Sequence, residues 1–202
     1  MNLLSSTYVY SFFTLLSRIL GYLRDILIAI FLGASIFADV FFVAFRLPNT
    51  FRRLFAEGTF NAAFIPSYVA AKSRSEQTGK KFADEVLSIL ILILFFIVLL
   101  VEIFTPYVVY LIAPGFLDNV EKFDFAVELT RITFPFLLLV SISSFFSGIL
   151  NANNKFAAAA AAPIILNVVL IASLIISFFF DLEFAKQLSY GVTFAGIIQL
   201  IF

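Results

Sequence analysis

Apolar residues run through this chain in long blocks separated by short polar stretches. Between residues 86 and 101 Ser88 is the only polar residue, and residues 156–180 hold no charge. A hydrocarbon layer about 30 Å thick takes about 20 helical residues, and its lack of water forbids open backbone. The pattern therefore predicts an all-α polytopic membrane protein with six transmembrane helices, over residues 8–32, 36–64, 84–111, 126–150, 157–180 and 188–202. The last block offers only about 22 Å of helix at 1.5 Å per residue, too little to cross. The chain is thus expected to be a fragment, residues 1–202 forming one transmembrane lobe of a transporter that pairs two. No internal repeat is visible.

Composition narrows the function. Hydrophobic residues make up 62% of the chain and charged residues 13%, which a water-soluble fold could not bury. Thirteen Lys and Arg balance thirteen Asp and Glu, so no net field favours nucleic acid. The chain has no Cys and no His, which removes disulfides, thiol nucleophiles, the usual zinc ligands and the near-neutral proton shuttle. No catalytic residue, metal or cofactor is expected. The N-terminus lacks a basic leader, and Arg18, Arg24 and Asp25 interrupt the apolar run that a cleaved signal would need, so it is expected to be retained.

Short loops rich in Lys and Arg stay cytoplasmic. Lys72, Arg74, Lys80 and Lys81 follow the second span, whereas Lys122 in the loop 112–125 is outnumbered by Asp118, Glu121 and Asp124. Lys155 falls on the first side, and Asp181, Glu183 and Lys186 on the second. The N-terminus is then cytoplasmic. Gly21, Gly33, Pro48, Pro106, Pro135 and Pro163 lie in or beside spans, as bends or as ordinary kinks, and the Ala157–Ala162 run suits close helix packing.

The charges inside the first two spans are the informative ones. Arg18, Arg24 and Asp25 each cost about 2.5–3.5 kcal/mol in a bilayer, against about 0.3–0.6 kcal/mol gained per Leu, Ile, Phe or Val. The first span is therefore marginal as a lipid-facing helix. At about 100° per residue, Thr7, Ser11, Thr14, Arg18, Gly21 and Asp25 share an arc of roughly 80°, with Ser17 and Arg24 on its edge. In the second span Asp39, Arg46, Asn49, Arg53 and Glu57 share a similar arc, with Arg52 at its margin and Pro48 able to shift the phase. Five Arg against three acids make a mildly cationic cavity, which implies an anionic substrate. Arg suits phosphate in particular, because its planar fork pairs bidentately with phosphate oxygens.

Structural readings stand beside this one. Arg52, Arg53 and Glu57 also fit a snorkelling interfacial cluster, and Arg18 an ion pair with Asp25 or Asp39. Glu102, Glu128 and Arg131 sit near span ends and suit interfacial roles, while Asn167 and Gln199 suit interhelical hydrogen bonds.

The stretch ADVFFVAFRLPNTFRRLFAEGTFNAAFIPSY, residues 38–68, resembles the signature of the MurJ (MviN) family of lipid II flippases, and SRILGYLRDILIAIFLGA, residues 17–34, the segment before it. LIAPGF, LTRITFPFLLLVSISS, LNANNKF and AAPIILN extend the resemblance over nearly the whole chain. The resemblance implies a MurJ/MATE-like (MOP exporter) fold of fourteen helices, with two six-helix lobes around a cavity and two more helices forming a lipid-tail groove. This chain covers the N-terminal lobe. It also implies that Arg18, Arg24, Asp25, Asp39, Asn49 and Arg52 bind substrate, with Ser17, Arg53 and Glu57 as cavity neighbours or gate elements. The implied partners are lipid II (a polyprenyl-pyrophosphate glycopeptide), membrane lipids and the C-terminal lobe of the same protein, in the bacterial inner membrane. The implied role is translocation for cell-wall synthesis, with no chemistry on the substrate. Alternatives are an exporter of another polyprenyl-linked glycan, an intramembrane enzyme on polyprenyl phosphates, and a scaffold in cell-wall assembly. The enzyme would need an acidic metal cluster or a nucleophile, and the close acidic pairs Asp84–Glu85 and Asp181/Glu183 lie at span ends.

Overall fold

The computed structural model describes residues 3–57, 59–153 and 155–202, and for residues 3–7, 9, 10, 52, 54–57, 59, 156 and 158 the backbone alone. Regular structure among the described residues is entirely helical: α1 (Leu3–Leu32), α2 (Ile36–Glu57), α3 (Thr59–Arg74), α4 (Glu76–Ile103), α5 (Thr105–Ile112), a 3₁₀ turn (Pro114–Asp118), α6 (Val120–Thr133), α7 (Phe136–Ala152), α8 (Phe156–Phe180) and α9 (Phe184–Ile201). The stretches 76–103, 120–152 and 159–180 are by themselves long and apolar enough to cross a membrane. The fold is all-α and polytopic.

Local chemistry explains where helices begin and end. Gly33 takes φ +60 after α1, a left-handed conformation open to Gly at no steric cost, and its N–H closes on the Ala29 carbonyl at 3.1 Å. The Ser75 hydroxyl accepts from the Thr78 amide at 3.0 Å, so α4 starts at Glu76, well before the apolar run. Asn119 caps α6 in the same way through the Lys122 amide, at 3.0 Å, which brings that helix forward to Val120. Pro106 lies in the first turn of α5 and Pro135 caps α7, so the third and fourth predicted spans each contain a helix break.

Helix α7 is central, packing against α2, α3, α4, α8 and α9, while α8 lies between α1 and α9. Two apolar cores hold these layers. One joins Phe41, Val109, Leu129, Phe136, Leu170, Leu174 and Leu188, and the other Phe64, Tyr68, Leu90, Leu94, Leu137 and Phe145. In the second, Phe64 is the hub: its ring centroid lies 4.8 Å from Phe145, 5.7 Å from Tyr68 and 6.1 Å from Phe82. Surface pairs tie the ends, Lys186 to Glu128 between α9 and α6, and Lys72 to Asn153 at 2.6 Å between α3 and the end of α7.

Candidate functional site

Six helices, α1, α2, α3, α7, α8 and α9, enclose a cavity of about 560 Å³. The polar edge of α1 forms one wall, with Thr14, Ser17, Arg18, Gly21 and Arg24, and α2 adds Asn49 and Arg53. No acidic side chain lines this cavity among the described residues, and its three charged lining residues are all Arg. That lining carries positive charge, offset in part where Asp25 pairs with Arg24 from outside it, and so favours an anion over a cation.

Arg24 is the best-fixed of the three. Its Nη1 donates to Asn167 Oδ1 at 2.7 Å, while Nε and Nη2 donate to Asp25 Oδ1 at 2.9 and 2.7 Å. Asn167 in turn donates from Nδ2 to the Ser17 carbonyl at 2.9 Å, so one α8 amide grips both α1 and its arginine. The guanidinium side chain is 20% exposed, against 62% for Asp25. Asp25 therefore orients Arg24 from outside the lining, whereas Arg18 is exposed and makes no ion pair or hydrogen bond among the described residues. An ion pair of Arg18 with Asp25 or Asp39 is absent from this arrangement.

The predicted stripe of α2 divides. Asn49 and Arg53 reach the cavity, but Asp39 pairs with Lys122 Nζ of α6 at 2.8 Å, and that ammonium also sits 4.2 Å over the Phe116 ring. Asp39 is thus drawn to the far end of α2, among the residues that follow α5. The side chains of Arg52 and Glu57 lie outside the described residues. Arg46 is exposed and outside the cavity lining.

Sequence reasoning missed the neutral polar part of the lining. Asn61 from α3, Ser143, Ser144, Ser147 and Asn151 from α7, and Gln199 from α9 all line the cavity. Asn167 and Gln199 make the interhelical bonds expected of them, Gln199 Nε2 donating to the Ala162 carbonyl at 2.8 Å. They are cavity residues as well. A signal existed in the helical spacing of Ser144, Ser147 and Asn151 within an otherwise apolar helix, but uncharged polar residues carry little insertion cost and so little information.

Residues 28–202 match the family model described as Lipid II flippase MurJ. A probable lipid II flippase MurJ of Rhizobium tropici is 45% identical over 192 residues, covering 93% of this chain and 36% of the relative. One of Buchnera aphidicola subsp. Acyrthosiphon pisum is 41% identical over 206 residues, covering 100% of this chain and 40% of the relative. Among solved structures, a lipid II flippase MurJ in an inward closed conformation superposes with TM-score 0.82 at 29% identity, over 96% of this chain and 40% of the other. The chain thus spans well under half the length of the relatives it matches. With its apolar helices, that kinship makes it a multi-pass inner-membrane protein, and the chain belongs to the lipid II flippase MurJ family.

Proposed function

We propose that this chain is the N-terminal lobe of a flippase that moves lipid II from the inner to the outer leaflet, with its N-terminus in the cytoplasm. One observation carries the reading: a cavity whose charged lining is Arg18, Arg24 and Arg53, with no acid among its described lining residues. An anionic pyrophosphate headgroup matches such a wall, and the apolar outer faces of the helices suit the surrounding lipid. In alternating access the lobe rocks against a second lobe, so the headgroup crosses inside the protein with no bond made or broken. Asp39, Asn49 and Arg52 belong to the substrate path in this reading, Asp25 acting by holding Arg24, and Ser17, Arg53 and Glu57 as its neighbours. The loop charges support the orientation, and a cysteine placed near Asp118 is expected to react with an impermeant thiol reagent in intact cells while one near Lys72 does not.

The deciding experiment compares Arg with Lys at two positions in the full-length protein, at matched membrane levels. Arg24 anchors all three of its guanidinium nitrogens on Asn167 and Asp25 with one hydrogen bond each, leaving two N–H groups for substrate, so Arg24→Lys is expected to lose most lipid II translocation and Arg24→Ala all of it. Arg18 has no such geometry to keep, so Arg18→Lys retains much more activity than Arg18→Ala. Wild-type translocation in both Ala variants would remove the cavity from the mechanism.

A further inference from the structure

Among the described residues, three side-chain oxygens of cavity-lining residues are buried without a hydrogen-bond partner: Asn61 Oδ1, Asn151 Oδ1 and Gln199 Oε1. Buried carbonyl-type oxygens are almost always paired, and each one left unmade is costly. These three come from three different helices and line the same cavity as the arginines. Their positions are built in. Gln199 is held by its own Nε2 on the Ala162 carbonyl, at 2.8 Å, which leaves its oxygen for something else. Asn61 comes so close to α7 that a Cβ at Gly148 would lie 2.6 Å from its Oδ1, and the helix has glycine there.

A trio of unpaired amide oxygens does not take an anion. It takes N–H and O–H donors, or a cation, and a cation in the same cavity meets the repulsion of Arg18, Arg24 and Arg53. Resting on the flippase reading above, we infer that Asn61, Asn151 and Gln199 form a subsite for the uncharged part of the headgroup, accepting from its sugar hydroxyls and amide N–H groups. The arginine wall takes the phosphates. The cavity then reads two ends of one ligand, and the neutral end gives discrimination among polyprenyl pyrophosphates that charge alone cannot, because a site built to hydrogen-bond a group rejects the analogue lacking it.

The test measures binding of two probes to the purified full-length protein: lipid II, and undecaprenyl pyrophosphate, which has the phosphates but no sugar or peptide. Asn61→Leu and Asn151→Leu remove the acceptors while keeping the branched side-chain shape, and Asn151→Ala removes one without adding any bulk. Each is expected to weaken lipid II about tenfold, the equivalent of about 1.4 kcal/mol, and to leave undecaprenyl pyrophosphate unchanged. Equal weakening of both probes would make the residues structural and overturn the subsite. No change in either would make this a hydrated chamber only and overturn it too. Wild-type protein that binds neither probe defeats the flippase reading itself, whereas wild-type binding with undiscriminating variants defeats only the subsite.

Discussion

Helix α4 and the α6–α7 run are both apolar enough to cross a membrane, yet they face opposite ways. In α4 only 11% of the most apolar stretch is buried in the protein, against 56% for residues 120–152. Helix α4 turns Ile89, Leu92, Phe96 and Leu100 outward, while α6 and α7 bury Thr130, Thr133, Ser141 and Ser144. A water-soluble domain would reverse that order. In a bilayer hydrocarbon does not penalise Leu or Phe, so the most apolar helix goes outermost. Helices associate instead through close packing and hydrogen bonds, so small and hydroxylated residues go inside. The buried hydroxyls are satisfied locally, Thr130 on the Ala126 carbonyl, Ser141 on Leu137 and Ser144 on Val140, at 2.7, 2.7 and 2.8 Å.

The sharpest way to break this contrast is to give α4 what α1 already carries. Arg18 and Arg24 are tolerated because a cavity and Asn167 receive them, whereas Leu92 is exposed on the apolar outward side of α4. Leu92→Arg should cost about 2.5–3.5 kcal/mol, roughly a hundredfold or more against the integrated state. Membrane levels of the full-length protein, read by quantitative blotting, are expected to collapse. Unchanged levels would mean that α4 meets protein or water and not lipid.

A smaller effect probes the inward side. Helix α9 packs tightly because Gly191 and Gly196 lack side chains: a Cβ at Gly191 would lie 2.4 Å from Ser173 Oγ, and one at Gly196 2.8 Å from Phe136 Cδ2 and 3.0 Å from Leu139 Cβ. Gly196→Leu should destabilise by about 1–3 kcal/mol through overpacking, seen as a lower melting temperature of the purified protein in detergent. Gly115 has nothing within 4 Å of the same added carbon, and Gly115→Leu is expected to leave the melting temperature alone. Equal shifts in the two variants would deny α7 and α9 their close contact.

What the sequence revealed follows the same physics. The polar edge of α1 was legible because Arg in hydrocarbon costs so much that Arg18 and Arg24 had to face a cavity. The tie of Asp39 to Lys122 was not, since the partner lies 83 residues away on α6 and no local pattern marks it. The caps of α4 and α6, Ser75 and Asn119, stand outside the apolar runs, so hydropathy alone starts both helices too late. The neutral wall of Asn61, Ser147 and Asn151 was silent for the opposite reason to Arg18: an amide or hydroxyl costs too little in a span to demand a cavity.

The finest difference between the two regions is what one hydroxyl is worth in each. Thr133 Oγ1 donates to the Ala44 carbonyl of α2 at 2.9 Å, fully buried, and so joins two helices. Ser88 Oγ donates to the Asp84 carbonyl of its own helix at 2.7 Å, on the exposed side of α4. Removing the first bond deletes a link that the separated helices do not share, although in a membrane their polar groups find other partners, so the expected cost of Thr133→Val is about 0.6 kcal/mol. Removing the second deletes a bond that the isolated helix keeps when the fold is lost, so Ser88→Ala should change stability by nearly nothing. Equilibrium unfolding of the purified full-length protein in mixed micelles resolves the two. Equal costs would show that the inward helices gain nothing from interhelical hydroxyls, leaving packing at Gly191 and Gly196 to hold α9 in place.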